Sequence, residues 1–149
     1  MKSPEHSEPN IHNFIYAVSE GKLSSHSNPN IEIRYIIEQG ITKAGLQALA
    51  ISLSWDIDMI AKAIGTTRQT LIRYKNKRLN KKISENALEV ARLCEFGVTY
   101  FGSVDGWNQW LDSVNIKFDG QPPRSFIDSI RGRELIQRTI NALQHGLLA

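Results

Sequence analysis

The residues of this 149-residue chain whose types could do chemistry fall into two sets, one sparse and one dense. The sparse set holds the nucleophiles and metal ligands: His6, His12, His26, His145 and the single cysteine, Cys94. His6, His12 and His26 have no metal-ligand spacing to one another, and His145 has no Cys or Ser partner at suggestive spacing. Cys94 can form neither an internal disulfide nor a cysteine-rich zinc site. It falls on an apolar helical stripe, where a small buried hydrophobe is expected rather than a reactive thiol. No phosphate-cradling glycine-rich loop occurs. Enzyme is the weakest class, and neither a cofactor nor a metal is expected.

The dense set is basic. Arg68, Arg73, Lys75, Lys77, Arg78, Lys81 and Lys82 bring seven of the chain's 18 basic residues, and none of its 15 acidic ones, into residues 68–82. Elsewhere the acidic residues outnumber the basic, so the modest net charge of +3 is concentrated in one short segment. Such asymmetry is the electrostatic footprint of a polyanion-binding element. On charge alone, a solvated helix face is the alternative.

The elements that must position this segment read as helices. Residues 1–10 are polar and Pro-bearing and read as a disordered leader, residues 11–18 as a short helix or strand, and Gly21 to Asn30 as a linker. A helix over Ile31–Gln39 is stopped by Gly40. Leu46, Leu49, Ala50 and Leu53, then Ile57, Ile60, Ala61 and Ile64, repeat the i, i+3, i+4, i+7 spacing of an amphipathic helix. Thr66 or Thr67 can cap the following helix, and Ser84 the next. Ala87, Ala91, Cys94, Val98 and Phe101 then run at the 4-3-4-3 spacing of a helix–helix seam, internal or between two copies. Trp107, Trp110, Leu111 and Val114 mark a short helix. A loop with Gly120, Pro122 and Pro123 follows, then a helix from Phe126 and a last one carrying Ile136, Ile140, Leu143 and Leu147. The fold class is all-α: a flexible 1–30, a helix-turn-helix domain over 31–82, and a dimerisation and partner-binding domain over 83–149. No apolar stretch approaches the ~20 residues that span a bilayer, and the first ten residues lack a signal peptide's apolar core. A cytoplasmic setting without membrane contact is expected.

The helix-turn-helix rests on three positions. Ala61 is the small residue where two helices cross, Gly65 tolerates the φ > 0 that the turn needs, and Leu71 anchors the second helix. The spacing Ala-x3-Gly-x5-Leu is common by chance, and its specificity comes from coinciding with the basic segment. Thr67, Arg68 and Gln69 then occupy the first turn of a recognition helix. Arg68 suits a guanine edge and Gln69 an adenine edge, with Arg73 one turn on and Ile72 placed for a thymine methyl. Lys75, Lys77, Arg78, Lys81 and Lys82 are placed for phosphates. The alternative is a helical hairpin whose basic face serves solubility or an acidic protein.

From Gly40 to Ala149 the chain resembles the Xre/MbcA/ParS antitoxins of type II toxin–antitoxin modules. Gly40-Ile41-Thr42 ahead of Leu46 and Leu49 is similar to their opening into an amphipathic helix. Thr70-Leu71-Ile72-Arg73 matches their Thr-Leu-x-Arg core, and Phe101-Gly102 before Trp110-Leu111 their Phe-Gly and Trp-Leu phrases. Gly120, Pro123, Phe126-Ile127, Ser129 and Gly132 fall at the offsets of their C-terminal signature, and Gly146-Leu147-Leu148-Ala149 resembles their ending. Tyr74 and Ala142 stand where the family usually has Arg, and residues 1–39 lie outside the resemblance.

What the resemblance implies is a homodimer that binds operator DNA and holds a cognate toxin, most often a RES-domain enzyme acting on NAD⁺. It makes Arg131, Arg133, His145, Gly146, Leu147, Leu148 and Ala149 the toxin-facing candidates. The competing class is a stand-alone regulator whose Trp107, Trp110, Phe118 and Phe126 line a ligand pocket, although such aromatics more often pack a core. A neutralising module that no longer binds DNA is a further alternative.

Overall fold

Every α-helix among the described residues opens on a side-chain cap. Asn13, Asn28, Thr42, Asp56, Asn80, Ser103 and Ser129 each accept a backbone N–H two or three positions into the helix that follows, satisfying a donor that has no partner within the helix. The structure, a computed structural model, describes residues 13–74 and 78–146. Within them the helices are α1 (Phe14–Val18), α2 (Pro29–Glu38), α3 (Lys43–Leu53), α4 (Ile57–Ala63), α5 (Arg68–Tyr74), α6 (Lys81–Phe101), α7 (Val104–Asp112) and α8 (Ile130–Gln144), with 3₁₀ turns at Ile116–Phe118 and Pro123–Phe126. The only β pairing among the described residues is two isolated bridges, Thr42 with Arg78 and Asn115 with Gln121. The fold is all-α.

The 21-residue α6, about 30 Å long, is the axis of the molecule. It packs against α1, α2, α4, α7 and α8. Ala87, Ala91, Cys94 and Val98 are fully buried inside the single chain. The seam is therefore internal core and not a surface between copies. Ser84 does not cap α6. Asn80 does, accepting from Ile83 N–H, which leaves Ser84 Oγ free to accept from Ile41 N–H at 2.9 Å and donate to Leu79 O at 3.2 Å. The boundary expected between residues 82 and 83 thus lies inside the first turn of α6, and one continuous apolar cluster runs from Phe14 to Ile140.

The larger departure from expectation is at the N-terminal side. Phe14, Ile15, Val18 and Leu23 belong to that core, and α1 packs on α3 and α6. Burial of four large apolar side chains offsets the cost of ordering this stretch. Glu95 Oε2 fixes it further by accepting Ile15 N–H at 3.0 Å. Residues 13–23 are folded and not part of a flexible segment. His6 and His12 lie outside the described residues, and His26 is exposed.

Candidate nucleic-acid interface and partner-binding surface

In α4 and α5 the sequence pattern becomes a tight pair of seven-residue helices. Ile60, Ala61, Ile64 and Leu71 are buried between them and the core. The connecting turn closes as Thr66 N–H donates to Ala61 O at 2.9 Å and Gly65 N–H to Lys62 O at 3.1 Å. Gly65 has φ +85°, a left-handed conformation that a residue with a Cβ adopts only with strain.

The predicted readers lie on the open side of this pair. Arg68, Gln69, Ile72 and Arg73 are all exposed, Ile72 to 52%. The Arg68 guanidinium stands 3.6 Å from Asp58, both side chains in solvent, so this pair constrains Arg68 little. Thr67 fills the capping place that Thr66 or Thr67 was expected to take. Its Oγ1 accepts Thr70 N–H at 3.2 Å and donates to Thr70 Oγ1 at 3.0 Å, so it caps α5. Arg78 is exposed, and its guanidinium donates to Gly40 O at 3.3 Å, beside the Leu79 N–H to Ile41 O bond. It ties the chain after α5 back to the start of α3. Lys81 and Lys82 are exposed in the first turn of α6, and Lys75 and Lys77 lie outside the described residues.

The C-terminal part is built on an aromatic row. Trp107 stacks with Phe101 and Trp110 at centroid distances of 6.1 and 5.9 Å, and Phe118 meets Trp110 and Phe126 edge-on at 6.0 and 5.1 Å. Neither of the two surface grooves described for the chain is lined by these rings. Gly97 makes room for the row, because a Cβ there would overlap the Trp107 indole. Cys94 lies in the same interior, and burial pushes its thiol pKa up to about 12, with Trp107 pulling weakly the other way. It is a neutral packing residue.

Two hydrogen-bonded bridges join this part to the α3–α5 region. In one, Asn108 Oδ1 accepts from Trp55 Nε1 at 2.6 Å and from Arg124 at 3.0 Å, while Asn108 Nδ2 donates to Leu53 O at 2.9 Å. The Arg124 guanidinium lies 4.8 Å from the Trp55 ring centre and pairs with Asp112 at 2.6 Å. In the other, Asn86 Nδ2 donates to Ile64 O at 3.1 Å, and Asn86 Oδ1 accepts from Arg133 at 3.2 Å. Arg133 is buried and also donates to Ile127 O at 3.0 Å. Desolvation lowers its pKa. This guanidinium is turned inward to hold α8 against α6, unlike the toxin-facing position expected of it. Arg131 is exposed, His145 is exposed with Nδ1 donating to Asn141 O at 2.7 Å, and Gly146 is exposed. Leu147, Leu148 and Ala149 lie outside the described residues.

Residues 97–146, which span the end of α6, α7, both 3₁₀ turns and α8, match the family model described as the antitoxin Xre/MbcA/ParS C-terminal toxin-binding domain. Over those residues the chain is similar to the toxin-binding domain of the Xre/MbcA/ParS antitoxins. A comparison with curated proteins gives no match. Gly97 and Trp107 thus lie in the matched region. One bridge runs from it to Leu53 and Trp55 at the corner between α3 and α4. The other runs through Asn86 of α6 to Ile64 at the end of α4. The exposed large apolar residues described within the domain are Val114, Ile116 and Ile130, at 73%, 87% and 67% exposure. Val114 and Ile116 flank a tight loop in which Asn115 N–H donates to Gln121 O and Gly120 N–H to Asn115 O. The sequence pattern puts Val114 on the short helix with Trp107, Trp110 and Leu111, but that helix ends at Asp112 and leaves Val114 exposed beyond it. Ile116 carries no period and is passed over. No helix among the described residues is long and apolar enough to cross a membrane, and those residues include no cluster of three metal-ligating side chains.

Proposed function

We propose that this chain is the antitoxin of a type II module whose toxin is of the RES class, and that it represses its own operon as a homodimer. The observation that carries the reading is the placement of a family toxin-binding domain and a basic helix pair on one continuous core. The α4–turn–α5 pair is the helix-turn-helix. Arg68, Gln69, Ile72 and Arg73 read base edges in the major groove. Lys75, Lys77, Arg78, Lys81 and Lys82 meet phosphates, with Arg78 doing so from a partly fixed position, and Thr67 presents the recognition helix by capping it.

The toxin is held by the C-terminal domain. Arg131, His145 and Gly146–Ala149 cover its active-site mouth, and the rigid Val114/Ile116 loop supplies an apolar contact that sequence reasoning had not assigned. Arg133 supports α8 from behind. The chemistry of NAD⁺ consumption belongs to the toxin, so this chain needs no cofactor of its own.

Two measurements test the two halves separately. Co-expression with the product of the neighbouring reading frame should yield a stable complex on affinity purification, and its absence would refute toxin binding. A gel shift on the upstream DNA should show binding that an Arg68→Ala, Arg73→Ala variant loses. Equal retention by that variant would refute the assignment of α5.

A further inference from the structure

Along α8, Arg131, Glu134, Arg138, Asn141 and His145 follow one another at three- and four-residue steps and are all exposed, so they form one row on the helix. The ends of the row, Arg131 and His145, are the side chains proposed to face the toxin. Its middle members, Glu134 and Arg138, also line a groove of about 830 Å³ between α8, α6 and α2. Row and groove are therefore one continuous surface. Its α8 side lies within residues 97–146, the region that matches the toxin-binding domain.

From the row the groove leads onto apolar ground. Ile36, Leu88 and Leu93, all buried, line its base. Ile33 and Ile37 of α2, one turn apart, are 55% and 63% exposed on one wall, and Ile130 of α8 is 67% exposed on the other. Three exposed isoleucines around one furrow mark an interaction site. Its walls are fixed before anything binds. Glu32 and Arg92 pair at 2.6 Å and hold α2 to α6, and the Arg133 bonds to Ile127 O and Asn86 hold α8. A surface fixed in advance loses little freedom on binding. The α6 residues along the groove, Lys81 to Leu93, cover about 18 Å of helix axis, room for three turns of a partner helix. Glu85 and Glu89, exposed one turn apart on α6, suit a basic residue on one edge of that helix. Arg138, with Arg131 beyond it, suits an acidic residue on the other.

We infer that the toxin reaches across the α8 row and seats an amphipathic helix in the α2–α6–α8 groove, with Ile33 and Ile37 as its anchors. A second copy of this chain seated there would cover Glu134 and Arg138, the middle of the row whose ends meet the toxin. This role for the groove rests on the toxin-binding reading of the C-terminal region. It extends the toxin contact to α2, which neither the matched region nor the family resemblance, beginning at Gly40, includes.

The experiment titrates the full chain with the purified product of the neighbouring reading frame by calorimetry. The wild type should bind, and Ile33→Glu with Ile37→Glu should weaken binding about a hundredfold, since both positions become buried charges in the complex. Both side chains are exposed in the single chain, so the helical circular dichroism and melting of this variant should match the wild type. Ile37→Leu should bind as the wild type does, as should Ile51→Glu, which places a charge at a 79% exposed site outside the groove. In the wild-type complex, amide hydrogen exchange over Pro29–Glu38 should slow. A folded double variant that binds as tightly as the wild type overturns the inference and leaves toxin binding standing, and so does unchanged exchange over α2. A wild type that does not bind overturns both. A double variant whose own solution mass falls below that of the wild type assigns the groove to a second copy, and also overturns the inference.

Discussion

Trp55 Nε1 donates to Asn108 Oδ1 at 2.6 Å, so the corner between α3 and α4 is fastened directly to α7 of the toxin-binding domain. The same asparagine donates to Leu53 O, and Arg124 covers both the Trp55 ring and the Asn108 oxygen. One side chain therefore satisfies a buried indole N–H on one side and a backbone carbonyl on the other. Replacing it by an apolar residue of similar size leaves both groups without partners. Asn108→Leu should destabilise the fold by about 1–3 kcal/mol, measured by chemical denaturation. An unchanged midpoint would show that the bridge is incidental.

Gly97 touches Trp107 so closely that no side chain fits between them. Gly97→Ala should cost roughly 3 kcal/mol, the upper end of the usual overpacking penalty, because the indole is fully buried and has nowhere to move. Combined with Trp107→Leu, the cost should be less than the sum of the two single changes. Additive effects in thermal denaturation would contradict the contact.

Glu95 of α6 is half-buried against the start of α1, and desolvation raises its pKa, opposed by the N–H groups of Ile15 and Phe14 and by the Arg92 charge. A carboxyl whose folded-state pKa is raised takes up its proton more readily in the folded chain than in the unfolded one. Its contribution to stability is therefore fully present below the ordinary carboxyl pKa of about 4.3, and is lost as pH rises through the raised folded value. Glu95→Gln keeps an acceptor for Ile15 N–H and removes that dependence. The melting temperature of the variant should gain on the wild type as pH rises across this window. Parallel curves would contradict the shift.

Cys94, fully buried with its thiol pKa pushed up to about 12, should not react with iodoacetamide in the native chain. Labelling should follow global unfolding as denaturant is added. Rapid labelling of the folded protein would place the thiol at the surface.

Much of this architecture was legible in the sequence because the helices from α3 onward bury a regular stripe. Leu46, Leu49 and Leu53 and the run Ala87 to Val98 have the period that core burial imposes, and Gly65 and Leu71 sit where the α4–α5 turn needs them. What was missed has physical reasons. Helix α1 is five residues long, so the sequence leaves 11–18 as helix or strand and gives no sign that Phe14, Ile15 and Val18 enter the core. Ser84 looks like a cap, but its hydroxyl is taken by Ile41 and Leu79 across the core, while Asn80 fills the cap position. Arg133 reads as a surface charge until Ile127 O and Asn86 come within reach of it. Tertiary hydrogen bonds between residues 47 or 53 positions apart, as in Arg133–Asn86 and Trp55–Asn108, leave no local pattern.

The central claim is that this chain neutralises a toxin through residues 97–146, and the growth of cells expressing the neighbouring reading frame tests it most directly. Expression of that frame alone should arrest growth, and adding the full chain should restore it. Adding instead a folded variant carrying Val114→Asp and Ile116→Asp should restore growth far less, since both side chains are exposed in the domain and their loss spares the core. Continued arrest in the presence of the well-expressed wild-type chain would contradict the account.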